Sequence, residues 1–332
     1  MSCRPAARTE SRSTSVRMLP SASVRSGTSR RSSRGTTGSN SPRRPQVRGR
    51  SRRRISSTSR RPSVVITPMR APLRSSRALV PAVVPWINPR LQSGDRRRVI
   101  TGIPGKTGIV YTLDRLTGEF LWAAPTIGQN VISSIDGATG AVTENAEVVF
   151  TGFGQEVFAC PTAMGGKDWE AGAYSPRTNT MYMPLRNACA RMASLDDGGN
   201  SLYSLSMRNQ LAPGTDQLGT VRAISAETGA TTWTYEQRAA TMSLAATGGG
   251  LVFGGDVNGR FRALDDETGD VLWEINLGSP VSGFPVTYAV DGQQYVVAGT
   301  GTGGNASRFS SMTPELRPSS GSNIFVFALP GS

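Results

Sequence analysis

Short runs of alternating apolar and polar residues, each closed by a turn, fill the second half of this chain. "GGGLVFGGDVNGRFRAL" (248–264) reads as a strand, an Asp-Val-Asn-Gly turn and a second strand. In "GFPVTYAVDGQQYVVAGTG" (283–301), Phe284, Val286, Tyr288 and Val290 share one face, and Asp291-Gly292 makes a tight hairpin turn into Tyr295-Val296-Val297. Further upstream, Ile109 to Leu113 is β-branched and aromatic and runs into the turn Asp114-Arg115-Leu116-Thr117-Gly118. Around Trp273 the alternation sets Val271, Trp273 and Ile275 on one side and Leu272 and Glu274 on the other. No helical period of comparable strength appears, so the body is expected to be all-β.

Three of these segments align without gaps: "YTLDRLTGEFLW" (111–122), "RAISAETGATTW" (222–233) and "RALDDETGDVLW" (262–273). Each has a strand end, a polar turn closed by Thr-Gly, and then Trp122, Trp233 or Trp273. Trp233 and Trp273 stand 40 residues apart, the length of a four-stranded propeller blade. Glycine supplies the positive φ that the turn demands. The large indole buries its area between neighbouring blades, so the three Trp are read as structural staples. A weaker copy, "SSIDGATGAV" (133–142), keeps the turn without a Trp.

Gly105-Lys106-Thr107-Gly108 invites a phosphate-loop reading, which the flanking residues refuse. The loop needs a glycine five residues before its Gly-Lys pair, where Ile100 stands, and a helix afterwards, where a strand is predicted. Lys106 is then either a turn lysine or the carrier of other chemistry.

The net charge of +14 divides unevenly. Residues 1–98 hold 24 Arg, no Lys and two acids (Glu10 and Asp95), so the remainder of the chain carries 13 basic against 21 acidic residues. A basic tail thus precedes an acidic body. The tail's Arg, Ser, Pro and Gly cannot bury enough apolar surface to offset chain entropy, so 1–95 is expected to be disordered. Arg without Lys is what GC-rich codons read in a wrong frame would give, so the segment is expected to be out-of-frame or artefactual. The alternative is a genuine arm that binds nucleic acid through its phosphates. No run reaches the roughly 18 apolar residues of a membrane span, and no signal peptide is visible. Histidine is absent, which removes Ser-His-Asp and Cys-His catalysis and every His-based metal site. Besides Cys3, Cys160 and Cys189 are too far apart for a CxxC motif; they are either buried thiols or a disulfide.

Taken in order, "GKTGIVYTLDRLTGEFLW", "CPTAMGGKDWEAGAYSPRTNTMYMPLRNAC" and "GGLVFGGDVNGRFRALDDETGDVLWEINLGSPVSGFPVTY" resemble the C-terminal half of the quinoprotein alcohol dehydrogenases that use pyrroloquinoline quinone (PQQ). The resemblance covers nearly all of 97–332 and none of 1–95. It implies half of an eight-bladed-type β-propeller over 96–332, from a periplasmic parent that oxidises a primary alcohol or polyol. Hydride would pass to PQQ beside calcium, and electrons on to a cytochrome or similar acceptor. Lys106 matches a cation that contacts the ortho-quinone. Asp168 stands where the family has an Asn that reaches PQQ, so an amide donor is exchanged for a charge. Gly303-Gly304-Asn305 replaces Gly-Gly-Trp, leaving Gly304 and Asn305 to face the cofactor without the aromatic ring. Cys160 and Cys189 fall on a family disulfide pair.

The same resemblance places the Asp base more than two dozen residues before Lys106, where "PSVVITPMRAPLRSSRALV" holds no acid. Asp95 lies too close to Lys106 and lacks the motif. The calcium ligands belong to earlier blades, so no catalytic or metal-binding residue is identified and the chain alone is expected to be inactive. A non-catalytic propeller scaffold for envelope proteins is the second function class. Lys106 and the Cys160 block weigh against it.

Overall fold

The computed structural model describes residues 19–21, 86–91, 96–196 and 204–328. The chain divides into two compact units, Met1–Arg25 with Ala78–Ser332 and Ser26–Arg77, and every described residue belongs to the first. Apart from two 3-10 segments, Ala146–Val148 and Gly304–Met312, the described regular elements are antiparallel strands.

Four sheets follow one another as blades. The first pairs Val99–Gly102, Ile109–Asp114, Phe120–Pro125 and Trp86–Ile87. The second is Ala173–Ser175, Thr180–Arg186, Gly219–Ser225 and Thr231–Gln237. Thr241–Ala246, Leu251–Asp256, Arg260–Asp265 and Val271–Asn276 make the third. The fourth joins Val286–Val290, Gln293–Gly299 and Ile324–Ala328, with Leu19–Ser21 on its outer edge. Between the first and second blades the chain makes an excursion: a hairpin, Ile132–Ile135 with Val142–Glu144, and a sheet of Glu156–Ala159, Ala188–Ser194 and Leu205–Leu211.

Two expectations are corrected here. Residues 86–91 were placed in the tail, yet Trp86 and Ile87 pair with Ala123 and Trp122, and buried Asn88 donates from Nδ2 to the Phe120 carbonyl at 2.7 Å. Leu19–Ser21 likewise pairs with Ala328 to Val326. A neighbouring strand satisfies these backbone groups, which composition does not report. The remaining residues of the 1–95 segment, Asp95 and Cys3 among them, lie outside the described residues. The simple alternation around Trp273 is also wrong: Trp273 opposes Ala263 while Val271 opposes Leu264, so Leu272 is an extra, bulged residue. Equivalent register shifts precede Trp122 and Trp233, making the bulge part of the repeat.

The Thr-Gly turn is built alike in all four copies. Oδ1 of Asp114 accepts from the Leu116 and Thr117 amides at 2.8 and 3.1 Å, and Asp136 and Asp265 accept in the same way. Ser225 does so through its hydroxyl. Gly118, Gly140, Gly229 and Gly269 all have positive φ.

The turn glycines of the second and third blades lie against the Trp of the blade before, whereas Gly140 lies against Phe120 and Gly118 has nothing within 4 Å. A Cβ on Gly229 would lie 2.7 Å from the Trp122 ring, and one on Gly269 would lie 2.6 Å from Trp233. Trp233 also donates from Nε1 to the Asp266 carbonyl at 3.1 Å. Trp273 packs edge-on against Phe327 of the fourth blade, with centroids 5.3 Å apart. The core is therefore a series of apolar layers between sheets.

Candidate functional site

Lys106 sits on the loop between the first two strands of the first blade, and a strand rather than a helix follows it. The loop is fastened to the segment after Cys160. The Lys106 carbonyl accepts from the Gly166 amide at 2.9 Å, and its Nζ donates to the Ala163 carbonyl at 3.0 Å. The ammonium is exposed and has three protons, of which one is used in this contact.

The segment opposite is held by short-range covalent and steric constraints. Cys160, after Glu156–Ala159, is bonded to Cys189 in Ala188–Ser194, with Cα atoms 4.3 Å apart. The Thr162 amide donates to the Ala188 carbonyl at 2.9 Å. Gly165 takes a φ of +83°, and its Cα lies so close to Lys106 that an added Cβ would meet the lysine stem at 3.0 Å. A Cβ on Gly166 would overlap Ile127 at 1.8 Å. The Gly-Gly pair is thus what lets the Lys106 loop and this segment approach.

Asp168 is half-buried beside Lys167, whose Nζ donates to the Asp168 carbonyl at 2.7 Å and to the Glu170 carbonyl. Burial pulls the Lys167 ammonium below the ordinary lysine value; the Glu170 carboxylate opposes this, while the Arg186 charge adds to it. Trp169 is exposed and meets Phe284 edge-on at 5.6 Å.

Two charged residues that the sequence reading passed over organise the site. Arg186 Nη1 and Glu170 Oε1 lie 2.6 Å apart, and both side chains are buried. Arg186 also donates to the Gly165 carbonyl at 3.3 Å, and its guanidinium covers the Phe309 ring at 4.6 Å. Phe309 belongs to Gly304–Met312. The backbone of Gly304 and Asn305 is therefore on an element tied to the Lys106–Gly166 region through Arg186. The available clue was the position of Arg186 in "TMYMPLR", a strand that is buried throughout and obliges a charge to find a partner. Among the described residues no group of three or more His, Cys, Asp or Glu could hold a metal ion, and no helix is long and apolar enough to cross a membrane.

Residues 218–296 match the PQQ family model described as the β-propeller domain of glucose, ethanol and alcohol dehydrogenases. A lupanine 17-hydroxylase [cytochrome c] of a Pseudomonas species is 33% identical, over 64% of this chain and 30% of its own. A quinohemoprotein alcohol dehydrogenase of Pseudomonas putida is 30% identical, over 65% and 32%. The chain thus carries a PQQ β-propeller domain and is similar to PQQ-dependent alcohol dehydrogenases over about two thirds of its length. A europium-containing methanol dehydrogenase superposes with a TM-score of 0.64 at 27% identity, covering 71% of this chain and 46% of that one. The chain spans about a third of the length of the curated relatives it matches.

PQQ is a flat, anionic ortho-quinone. The exposed Lys106 ammonium suits its quinone edge, and the glycine pair keeps the adjoining wall low. The Asp168 carboxylate suits an anion poorly, and the described residues offer no oxygen cluster for the metal. The fit is to one side of the cofactor.

Proposed function

We propose that this chain presents the cationic side of a PQQ site, with Lys106 at the ortho-quinone and Asp168, Gly304 and Asn305 bordering the ring. What carries the reading is the fastening of the Lys106 loop to Ala163 and Gly166. When bound, PQQ supplies a two-electron hydride acceptor. Lys106 stabilises the negative charge that reduction places on the quinone oxygens, from a position already fixed before the charge develops. The Arg186–Glu170 pair holds the glycine segment and Gly304–Met312 in register.

By analogy with the relatives, the activity of an intact protein of this kind is oxidation of a primary alcohol or polyol in the periplasm. Electrons would pass to a cytochrome, since three of the relatives, the lupanine 17-hydroxylase and two methanol dehydrogenase subunits, carry cytochrome c in their names. In this chain by itself the step fails. A base must reach the substrate hydroxyl, and Glu170 is buried against Arg186.

The test titrates purified protein with PQQ and follows dye-linked alcohol oxidation with calcium present. Lys106→Ala is expected to weaken PQQ binding about 10-fold or more, since a hydrogen bond to a charged group contributes roughly 1.5–3 kcal/mol. Neither protein should turn over alcohol above background. Unchanged PQQ affinity in Lys106→Ala overturns the site, and Lys106-dependent turnover overturns the inactivity.

A further inference from the structure

The chain has two lysines in all, Lys106 and Lys167. Lys106 is exposed at the site above, whereas Lys167 is half-buried and lines a groove of about 1690 Å³ between the first and second blades. Leu121 and Trp122 give the groove an apolar wall on the first blade, and Met181 and Met183 give it one on the second.

The hydrogen bonds at Lys167 suit an amine as well as an ammonium. Nζ donates to the Asp168 carbonyl at 2.7 Å and to the Glu170 carbonyl. A neutral amine keeps two N–H groups and gains a lone pair, so both bonds survive the loss of the third proton. The Glu170 carboxylate, which favours the charged form, is bound by Arg186, whose own charge disfavours it. Burial disfavours the ammonium further. A lysine desolvated beside apolar surface and near a second cation is the arrangement that activates an amine as a nucleophile.

We propose that Lys167 is a carbonyl-capture site, condensing reversibly with aldehydes whose apolar tail lies along the groove. The Nζ lone pair attacks the carbonyl carbon while the C=O π bond opens, and a proton passes from nitrogen to the oxygen. That oxygen then leaves as water with the second N–H proton, and the C=N bond closes. The groove is open to solvent, so water can carry both protons. Amine and aldehyde give imine and water without any oxidant or reductant. Trp122 and the two methionines favour an alkyl or aryl tail over none. The step uses no PQQ, so it is independent of the cofactor site.

Reductive labelling of the folded full chain tests this. Cyanoborohydride reduces an imine to a stable secondary amine, and peptide mass mapping then reads each lysine after treatment with hexanal or with acetaldehyde. Lys106 is the internal control, exposed on its loop. Hexanal is expected to label Lys167 several-fold faster than Lys106, with a smaller excess for acetaldehyde. Unfolding in urea should bring the two lysines to the same rate. Labelling of Lys167 no faster than Lys106 overturns the proposal, as does an excess that is equal for the two aldehydes. An excess that persists in urea overturns it too, since it would come from the local sequence rather than the groove.

Discussion

Buried arginines in this protein fall into two kinds, and their stability effects should differ in sign. Arg262 is enclosed: Nη1 reaches Asp256 at 2.8 Å and Gln237 at 2.7 Å, and Nε reaches Glu274 at 2.5 Å. Arg222 occupies the same place one repeat earlier, where Thr234 replaces Glu274. It is also buried, and its Nε has no partner among the described residues. Burial lowers the Arg222 pKa, with Glu236 opposing. Removing one member of a buried, paired set leaves the others uncompensated, at a cost of about 3–5 kcal/mol. Arg262→Met and Arg186→Met should therefore each lower the urea midpoint strongly. Arg222→Met should leave it unchanged or raise it, because no paired acid is abandoned. Pairing Arg186→Met with Glu170→Leu should recover much of the single-variant loss, since the stranded carboxylate is removed as well.

The Thr-Gly turn invites two comparisons at the level of the element. Adding a methyl at Gly269 costs the left-handed strain of roughly 1–2 kcal/mol and drives Cβ into Trp233. Gly118→Ala carries the strain alone, since nothing lies within 4 Å of the added Cβ. Urea unfolding at low protein concentration should show Gly269→Ala to be clearly the more damaging. The second comparison uses pH. The amides of Leu116 and Thr117 hold the Asp114 carboxyl below the usual carboxylate range. A depressed folded value means that this stabilisation is complete above the unfolded pKa of about 3.9 and is lost as pH falls through the folded value. Asp114→Asn should flatten the acid limb of the stability curve below about pH 4, and an unchanged limb would show that the turn contributes nothing to it.

For the molecule as a whole, the Cys160–Cys189 bond closes a loop of 29 residues around the candidate site. Loop closure of that length stabilises by about 3–4 kcal/mol through the unfolded state. Reduction should lower the urea midpoint accordingly. It should also weaken PQQ binding, because the Gly165–Gly166 segment that holds Lys106 is tethered at Cys160. Equal PQQ affinity before and after reduction would show that the Lys106 loop keeps its place without the bond.

The division between what was legible in the residues and what was not follows the range of the interactions. Turns such as Asp114 to Gly118 are closed by groups at most five residues apart, so the hairpins, the Trp repeat and the all-β class could be read directly. Lys106, Asp168 and the cysteine pair were found by resemblance, since their partners come from distant segments. Contacts across large separations set the rest. Asn88 joins the first blade through a carbonyl 32 residues away, and Arg186 reaches both Glu170 and Phe309. Alternation in Val286–Val290 shows that residues share a face but never whether that face is covered. Only the packing of one sheet on another decides that, because burial is a property of the neighbour as much as of the strand.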